Sequence, residues 1–203
     1  LMTPLMSNTT YLIDTNKTTV HTWTSGYKPG NSVYLLEDGT LLRTGNMRNG
    51  NRFSNTGGVG GIVEKLDWNS NVTWSFTFAT DEYCLHHDVE ELPNGNILMI
   101  AWEYKSYSES VAAGRNTSLL GDGELWPDSV IEVDPDNNSI VWEWHVWDHL
   151  IQDHDNTKAN YGTVAMHPEL IDINHVGKPN GAADWNHINS VDYNAELDQI
   201  ILS

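Results

Sequence analysis

Residues 87–101, HDVEELPNGNILMIA, predict a β-hairpin. The Pro-Asn-Gly sequence at 93–95 is a strong turn signal, and the apolar run at 97–101 suits a buried strand. Two other stretches have the same order of strand, turn and strand, NSVYLLEDGTLLRTG at 31–45 and NSVDYNAELDQIILS at 189–203. Each begins with two polar residues before the strand becomes apolar, so this polar opening is a repeated position.

A second kind of hairpin alternates with the first along the chain. Its three copies are YLIDTNKTTVHTW at 11–23, IVEKLDWNSNVTW at 62–74 and VIEVDPDNNSIVWEW at 130–144. Each has an apolar strand, an aspartate that opens a polar turn, and a second strand with a tryptophan near its end. The equivalent residues are Asp14, Asp67 and Asp134 in the turns, and Trp23, Trp74 and Trp142 as expected inward-facing anchors.

The alternation of the two hairpins predicts the fold. Two hairpins make a four-stranded antiparallel unit, and recurrence of such a unit without long helical patterns is typical of a β-propeller. We therefore expect an all-β protein, a single domain over residues 1–203 with about three to four blades. Insertions with short helical segments interrupt the repeat at 104–127 and 145–186. The first has a helical pattern around 108–113, and the second begins with HVWDHLIQDHD, which suits a short amphipathic helix.

The composition excludes several functional classes. The net charge of −18 over 203 residues argues against nucleic acid and anionic membrane surfaces as partners, since the field of the protein repels both. No apolar run reaches the roughly eighteen residues that a membrane-spanning helix needs, so no membrane span is expected. Cys84 is the only cysteine, which rules out an internal disulfide and predicts a buried strand residue.

The polar openings of the first kind of hairpin form the candidate site. The first strand of each propeller blade lines the central channel, so Asn31, His87 and Asn189 should face a common space. His187 lies two residues before Asn189 and should share its face if the strand already runs there. His86 and His87 are neighbours in one strand and should point in opposite directions.

The chemistry of these side chains leaves several roles open. A single strand-opening histidine is often only a hydrogen-bonding group of the framework. Imidazole and carboxamide groups together donate hydrogen bonds to an anion, and imidazole also serves as an acid, a base or a nucleophile. A metal site is less favoured, because the nearby carboxylate of Asp88 should point away from His87. We expect neither a metal nor a cofactor.

Three stretches closely resemble the bacterial and archaeal arylsulfotransferase family, the aryl-sulfate sulfotransferases. They are CLHHDVEELPNGNILMIAWE at 84–103, LWPDSVIEVDPDNNSIVWEWHVWDHLIQD at 125–153 and ADWNHINSVDYNAELDQIILS at 183–203. The resemblance runs through nearly the whole chain and is densest after residue 84. The Asp-Trp-x-His-x-Asn-Ser motif at 184–190 is a fairly specific part of it.

The resemblance implies a six-bladed, usually exported propeller that moves a sulfuryl group from an aryl sulfate ester to a phenol. The family uses no nucleotide sulfate donor and follows a ping-pong route through a sulfated histidine. Its His-His-Asp histidine matches His86 or His87, and the repeat alignment favours His87. Its His-x-Asn pair matches His187 and Asn189. These groups polarise the sulfuryl oxygens, and His187 would also protonate the departing phenolate, so His87, His187 and Asn189 are the predicted catalytic residues.

The sequence also departs from the family pattern. The family has an arginine soon after the Ile-Ile-Leu-Ser strand, whereas this sequence stops at Ser203, and the histidine that becomes sulfated lies in a later blade. We therefore expect an incomplete propeller, inactive alone, whose open edge is covered by further blades or by self-association. Arg43 is a candidate sulfate partner. Asn31 and His86 complete the predicted substrate-binding set.

Two other functions stay open at the level of the sequence. A non-catalytic extracellular propeller module would serve binding or assembly, and the acidic charge and five Asn-x-Ser/Thr sequons favour it. A quinoprotein-like propeller would also suit the repeat at 130–144. We expect a periplasmic or extracellular protein whose small-molecule partners are phenolic sulfate esters and phenols.

Overall fold

The structure is a computed structural model that describes residues 1–178 and 181–203. Residues 179 and 180, inside the predicted insertion at 145–186, lie outside the described residues. Strands dominate the described chain and most pair antiparallel, so the all-β prediction is confirmed. The chain forms two compact units, unit 1 with Leu1–Ala101, Ile131–Trp142 and Asn189–Ser203, and unit 2 with Trp102–Val130 and Glu143–Ile188.

Antiparallel hairpins build unit 1. The first two strands, β1 (Thr9–Ile13) and β2 (Thr19–Thr24), pair as a two-stranded sheet. The next four strands form a sheet in which each is hydrogen-bonded to its neighbour in the chain. They are β3 (Lys28–Leu35), β4 (Leu41–Asn46), β5 (Gly61–Leu66) and β6 (Val72–Thr77).

A second four-stranded sheet repeats this arrangement. In order across the sheet its strands are β7 (Tyr83–Glu91), β8 (Ile97–Glu103), β11 (Asp128–Asp134) and β12 (Ser139–His145). A last hairpin pairs β15 (Val191–Asn194) with β16 (Gln199–Leu202). All six predicted hairpins are therefore present. They form two complete four-stranded sheets and two separate hairpins.

The turns of the second kind of hairpin share one construction. Oδ1 of Asp14 accepts the main-chain N–H groups of Asn16 at 2.9 Å and Thr18 at 2.8 Å. Asp67 and Asp134 also accept the N–H group two residues on, at 2.8 Å and 2.9 Å. A left-handed residue completes each turn: Lys17, Ser70 and Asn138. These aspartates fix the turns as the sequence predicted.

The core of unit 1 lies between its sheets. A cluster of buried apolar side chains from five strands forms it: Leu42, Val63, Leu85, Val89, Ile97, Met99, Ala101, Ile131 and Val133. The tryptophan anchors differ from one another. Trp23 is buried against Leu41 and Leu66, and Trp74 packs at the edge of the main core. Trp142 is 41% exposed, so its prediction as an inward-facing anchor was wrong, because β12 is the outermost strand and turns this residue to solvent.

Unit 2 contains most of the two predicted insertions. The helix predicted around 108–113 is confirmed as α1 (Tyr107–Ala112). Ser106 and Glu109 form a capping box at its N-terminus. Short strands β9 (Lys105–Ser106) and β10 (Glu124–Leu125) pair beside it. Among the described residues, no helix is long and apolar enough to span a bilayer.

The amphipathic helix predicted in HVWDHLIQDHD was wrong. A single 3-10 turn covers Val146–His149, and β13 (Leu150–Ile151) follows at once, paired in parallel with β14 (Ile171–Asp172). The apolar residues are buried as the pattern required, with Val146 and Leu150 in the core of unit 2. An extended segment buries them as well as a helix would, and the ladder to β14 satisfies its backbone.

Candidate functional site

Asn31, His87 and Asn189 line one pocket in unit 1. The pocket has a volume of about 400 Å³, and its other lining residues are Ser32, Val33, Tyr34 and Asp88. Asn31 belongs to β3, His87 belongs to β7, and Asn189 lies just before β15. β7 packs against both β3 and β15. The structure thus brings together the three residues that the repeat alignment made equivalent.

Two of these residues have left-handed backbone conformations, which set the directions of their side chains. The φ angle is 101° at Asn31 and 48° at His87. The pairing of β3 with β4 shifts register between Pro29 and Val33, which places Asn31 in a bulge. Such an interruption breaks the strict alternation of side chains along a strand. On β7 the left-handed φ angle of His87 does the same, which explains why Asp88, expected to point away from His87, contributes to the same pocket wall.

Gly58 has no side chain, and the His87 ring occupies the space where a Cβ atom would lie. The main-chain N–H of His87 donates to the carbonyl of Gly58 at 3.1 Å. A Cβ atom on Gly58 would lie 1.8 Å from Cε1 of His87, and the φ angle of Gly58, +83°, itself favours glycine. The loop that follows β4 therefore controls where the His87 ring lies.

His86 lies behind His87 and is not among the residues that line the pocket. Its side chain is buried, with only 1% of the residue exposed, and its main chain forms a bridge with Val59. Nδ1 of His86 is 3.0 Å from Nδ1 of His87, and the two rings are perpendicular. The structure therefore places His86 against His87 and outside the lining of this pocket.

Asp88 ties together the three strands around the pocket. The Tyr34 hydroxyl on β3 donates to Oδ1 of Asp88 at 2.7 Å. The main-chain N–H of Val191 on β15 donates to Oδ2 at 3.2 Å. Burial and the bond to Asp88 raise the pKa of Tyr34, so the phenol stays protonated and remains a donor.

His187 lies in unit 2 beside a buried carboxylate. Its Nδ1 is 2.8 Å from Oδ1 and 3.0 Å from Oδ2 of Asp184. The indole N–H of Trp102 donates to the same carboxylate at 3.2 Å, and Lys178 forms an ion pair with it. Burial alone would raise the pKa of Asp184, but the hydrogen bonds of His187 and Lys178 outweigh it and hold that pKa below its usual value. Because Nδ1 faces Asp184, proton transfer at His187 would use Nε2.

The lowered pKa of Asp184 leads to a prediction for stability. A carboxylate with a lowered folded-state pKa stabilises the protein above its unfolded pKa, about 3.9 for aspartate, and loses that effect as the pH falls through the folded value. Asp184→Asn should therefore lower the unfolding temperature at pH 7, and the difference from the native protein should shrink below about pH 4. Circular dichroism melts across this range measure it. A difference that stays constant down to the acid limit would contradict the prediction.

Arg43 takes part in a buried ion pair of the first four-stranded sheet. Its Nη1 donates to Oε2 of Glu64 at 2.7 Å, and Nη2 donates to the carbonyl of Tyr27 at 3.1 Å. Ser25 donates its hydroxyl to the same glutamate oxygen at 2.7 Å. Burial lowers the pKa of Arg43, and Glu64 opposes that shift. Arg43 is not among the pocket-lining residues, so its position supports a structural role.

This position predicts the effect of removing the charge. Arg43→Ala should lower the free energy of unfolding by about 3–5 kcal/mol, since it leaves the buried Glu64 carboxylate without its partner. A double variant, Arg43→Met with Glu64→Met, should be much more stable than the single one because both charges are removed. Urea unfolding of the two variants measures their free energies of unfolding. Equal losses of unfolding free energy in the single and double variants would show that the unpaired charge of Glu64 does not cause the destabilisation.

The sequence analysis did not identify Tyr34, which lies beside Asp88 in unit 1, or Asp184, which lies beside His187 in unit 2. Tyr34 carries no signal, because the equivalent positions of the repeat are Glu90 and Asp192. Asp184 does carry a sequence signal, because it lies three residues before His187 inside the motif at 184–190. In the part of the chain that the structure describes, no three histidine, cysteine, aspartate or glutamate side chains are grouped to hold a metal ion.

Comparison with known protein families shows the family of this chain. The family model described as Arylsulfotransferase (ASST) matches residues 36–203, a range that contains His86, His87, His187 and Asn189. A comparison with curated proteins found no match. Because the family model covers well over half of the sequence, the chain belongs to the arylsulfotransferase (ASST) family.

Proposed function

We propose that the protein transfers a sulfuryl group from an aryl sulfate ester to a phenol without a nucleotide sulfate donor. The observation that carries the proposal is the convergence of Asn31, His87 and Asn189 on one pocket in a chain of this family. Carboxamide and imidazole N–H groups are donors, and sulfuryl oxygens are acceptors. The pocket volume of about 400 Å³ lies in the range of small-molecule sites.

The carboxylate of Asp88 is compatible with an anionic ligand in this pocket. A bare carboxylate would repel a sulfate ester. Both oxygens of Asp88, however, accept hydrogen bonds from the protein, from Tyr34 and from the N–H of Val191. Both oxygens of Asp88 are therefore bonded to strands β3 and β15. These bonds support a structural role for Asp88 in holding the strands of the pocket wall together.

The proposed reaction moves one sulfuryl group and one proton. The bond from sulfur to the donor's aryl oxygen breaks, and its electron pair stays on that oxygen, which takes up a proton as the phenol leaves. A bond from sulfur to the acceptor's phenolic oxygen forms, and the acceptor gives up its proton. Negative charge on the sulfuryl oxygens is spread in the transition state, where His87, Asn189 and Asn31 would stabilise it. His187, oriented through Nδ1 by Asp184, is the proposed proton carrier.

The same proposal includes the arrangement of the sheets as propeller blades. In that arrangement the first strands β3, β7 and β15 surround a central channel, and each blade continues outward. The contacts of β7 with both other strands and the bonds of Asp88 to Tyr34 and Val191 support it. An exported location and association through exposed sheet edges stay predictions from the sequence.

Transfer from an aryl sulfate to a second phenol tests the proposed function. The protein in its full native form is mixed with 4-nitrophenyl sulfate and an excess of phenol, without nucleotide. We expect release of 4-nitrophenolate that depends on phenol, and phenyl sulfate in equal amount by mass spectrometry. Folded protein that binds 4-nitrophenyl sulfate but transfers nothing would refute the proposal in favour of a binding module.

Gly58→Ala should displace the His87 ring and lower sulfuryl transfer by about a hundredfold, because a shift near 1 Å in a reacting or positioning group has that effect. Gly50→Ala is a matched control, since its φ angle is +84° and a Cβ atom there meets nothing within 4 Å. Steady-state rates of the two variants, with circular dichroism to confirm folding, give the comparison. Equal rates would show that Gly58 does not position His87.

A further inference from the structure

Two histidine rings share a hydrogen bond at the wall of the pocket. Nδ1 of His86 and Nδ1 of His87 are 3.0 Å apart, and the ring planes meet at 90°. His87 lines the pocket, whereas His86 is 1% exposed and contacts the ring of His87 from the side away from the pocket. Nδ1 of His87 faces His86, so a ligand in the pocket would meet His87 through Nε2.

A hydrogen bond between two Nδ1 atoms needs one proton and one lone pair. If His86 supplies the proton, neutral His87 carries its own proton on Nε2, which is then a donor. If His87 supplies the proton, the Nε2 of neutral His87 carries a lone pair, which is an acceptor. The direction of this one hydrogen bond therefore decides what His87 offers to a ligand.

We propose that His86 is the donor, a positioning residue that holds His87 in its Nε2–H tautomer. This inference rests on the proposed function, since a sulfuryl oxygen requires a donor and a lone pair on Nε2 would repel it. Gly58 limits rotation of the His87 ring and so keeps Nδ1 beside His86, because its main chain lies against the Cε1 edge of that ring.

His187 has the opposite arrangement. Its Nδ1 faces the carboxylate of Asp184, which in its ionised form only accepts hydrogen bonds. Nδ1 of His187 therefore carries a proton whether the ring is neutral or cationic, and Nε2 is the nitrogen that takes up or releases a proton. The two histidines therefore have different roles because their hydrogen-bond partners differ. His87 donates a hydrogen bond to a sulfuryl oxygen, and His187 exchanges a proton.

Nitrogen NMR on the full chain with ¹⁵N-labelled histidine tests the assignment. Two-bond correlations from ring carbon-bound protons distinguish Nε2–H, Nδ1–H and doubly protonated rings. The His87 signals are identified by their loss in His87→Gln, and those of His187 by their loss in His187→Gln. At neutral pH we expect His87 with its proton on Nε2 alone and His187 with a proton on Nδ1. A His87 ring protonated at Nδ1, whether neutral or cationic, would overturn the proposal.

Variants of His86 test whether it sets the tautomer. His86→Phe keeps a ring but removes the donor, so His87 should become a mixture of tautomers, and transfer should fall several-fold, by the fraction of His87 that loses its Nε2 proton. His86→Asn retains a donor near the Nδ1 position and should restore most of that loss. His167→Phe, at an exposed histidine paired with Glu169, controls for loss of an imidazole. An unchanged His87 tautomer in His86→Phe would refute the role of His86.

The NMR and transfer measurements separate this inference from the proposed function. The predicted His87 tautomer in a protein that transfers no sulfuryl group would refute the function and support the assignment of the proton. Transfer by a protein whose His87 is protonated at Nδ1 would refute the inference alone.

Discussion

Replacing His87 with alanine should lower the rate of sulfuryl transfer roughly a hundredfold or more, the scale for one lost donor at a developing anion. His87 lines the pocket, and Gly58 and His86 fix its ring from two sides. The loss should appear in kcat as well as in kcat/KM, because the charge on the sulfuryl oxygens is redistributed in the transition state. Initial rates with 4-nitrophenyl sulfate and phenol measure it.

Other pocket residues provide graded controls for this result. Asn189→Ala removes one carboxamide donor and should lower the rate less than His87→Ala does. His167→Ala, outside the pocket, should leave the rate unchanged. If the His87 and His167 variants had the same rate as the native protein, the pocket of unit 1 would not be the site of transfer.

Replacing His187 with alanine should also lower transfer roughly a hundredfold or more, because the leaving phenolate loses its proton donor. The loss should be largest with poor leaving groups, such as unsubstituted phenyl sulfate, and smaller with 4-nitrophenyl sulfate, whose phenolate leaves without help. Asp184→Asn should reduce the rate in the same direction, since it removes the group that orients Nδ1. Rates with the two donors give the dependence on leaving group.

His145 is a matched control for this histidine in the same unit. Both side chains are 19% exposed, and both direct Nδ1 at a buried carboxylate, Glu103 at 2.7 Å for His145 and Asp184 at 2.8 Å for His187. His145→Ala should leave transfer unchanged, although it also breaks a histidine–carboxylate pair. Equal losses in the two variants would mean that the effect of His187 is structural.

The sequence predicts local structure well where one residue determines a turn. Asp14 and its equivalents bind main-chain N–H groups within four residues, so the hairpins could be recognised from short motifs. The repeat alignment extended this to the pocket, because residues at equivalent positions of neighbouring first strands meet in space. Aligning the repeats was therefore enough to group Asn31, His87 and Asn189.

Contacts between distant segments were harder to predict. Tyr34 meets Asp88 across 54 positions and Trp102 meets Asp184 across 82, and no local pattern encodes either pair. The left-handed φ angle at His87 broke the alternation on which the expected direction of Asp88 depended. The burial of Leu150 was predicted correctly, but burial alone does not distinguish a 3-10 turn and short strand from a helix.

A crystal structure with a bound aryl sulfate tests the central claim most directly. The complex is prepared with a slowly reacting ester such as phenyl sulfate and the His187→Ala variant, so that the ligand persists. We predict the sulfuryl group in the pocket of unit 1, with its oxygens within hydrogen-bonding distance of the His87 ring and the Asn189 side chain. A fully occupied ligand bound elsewhere, with neither residue in contact, would contradict the assignment of this pocket.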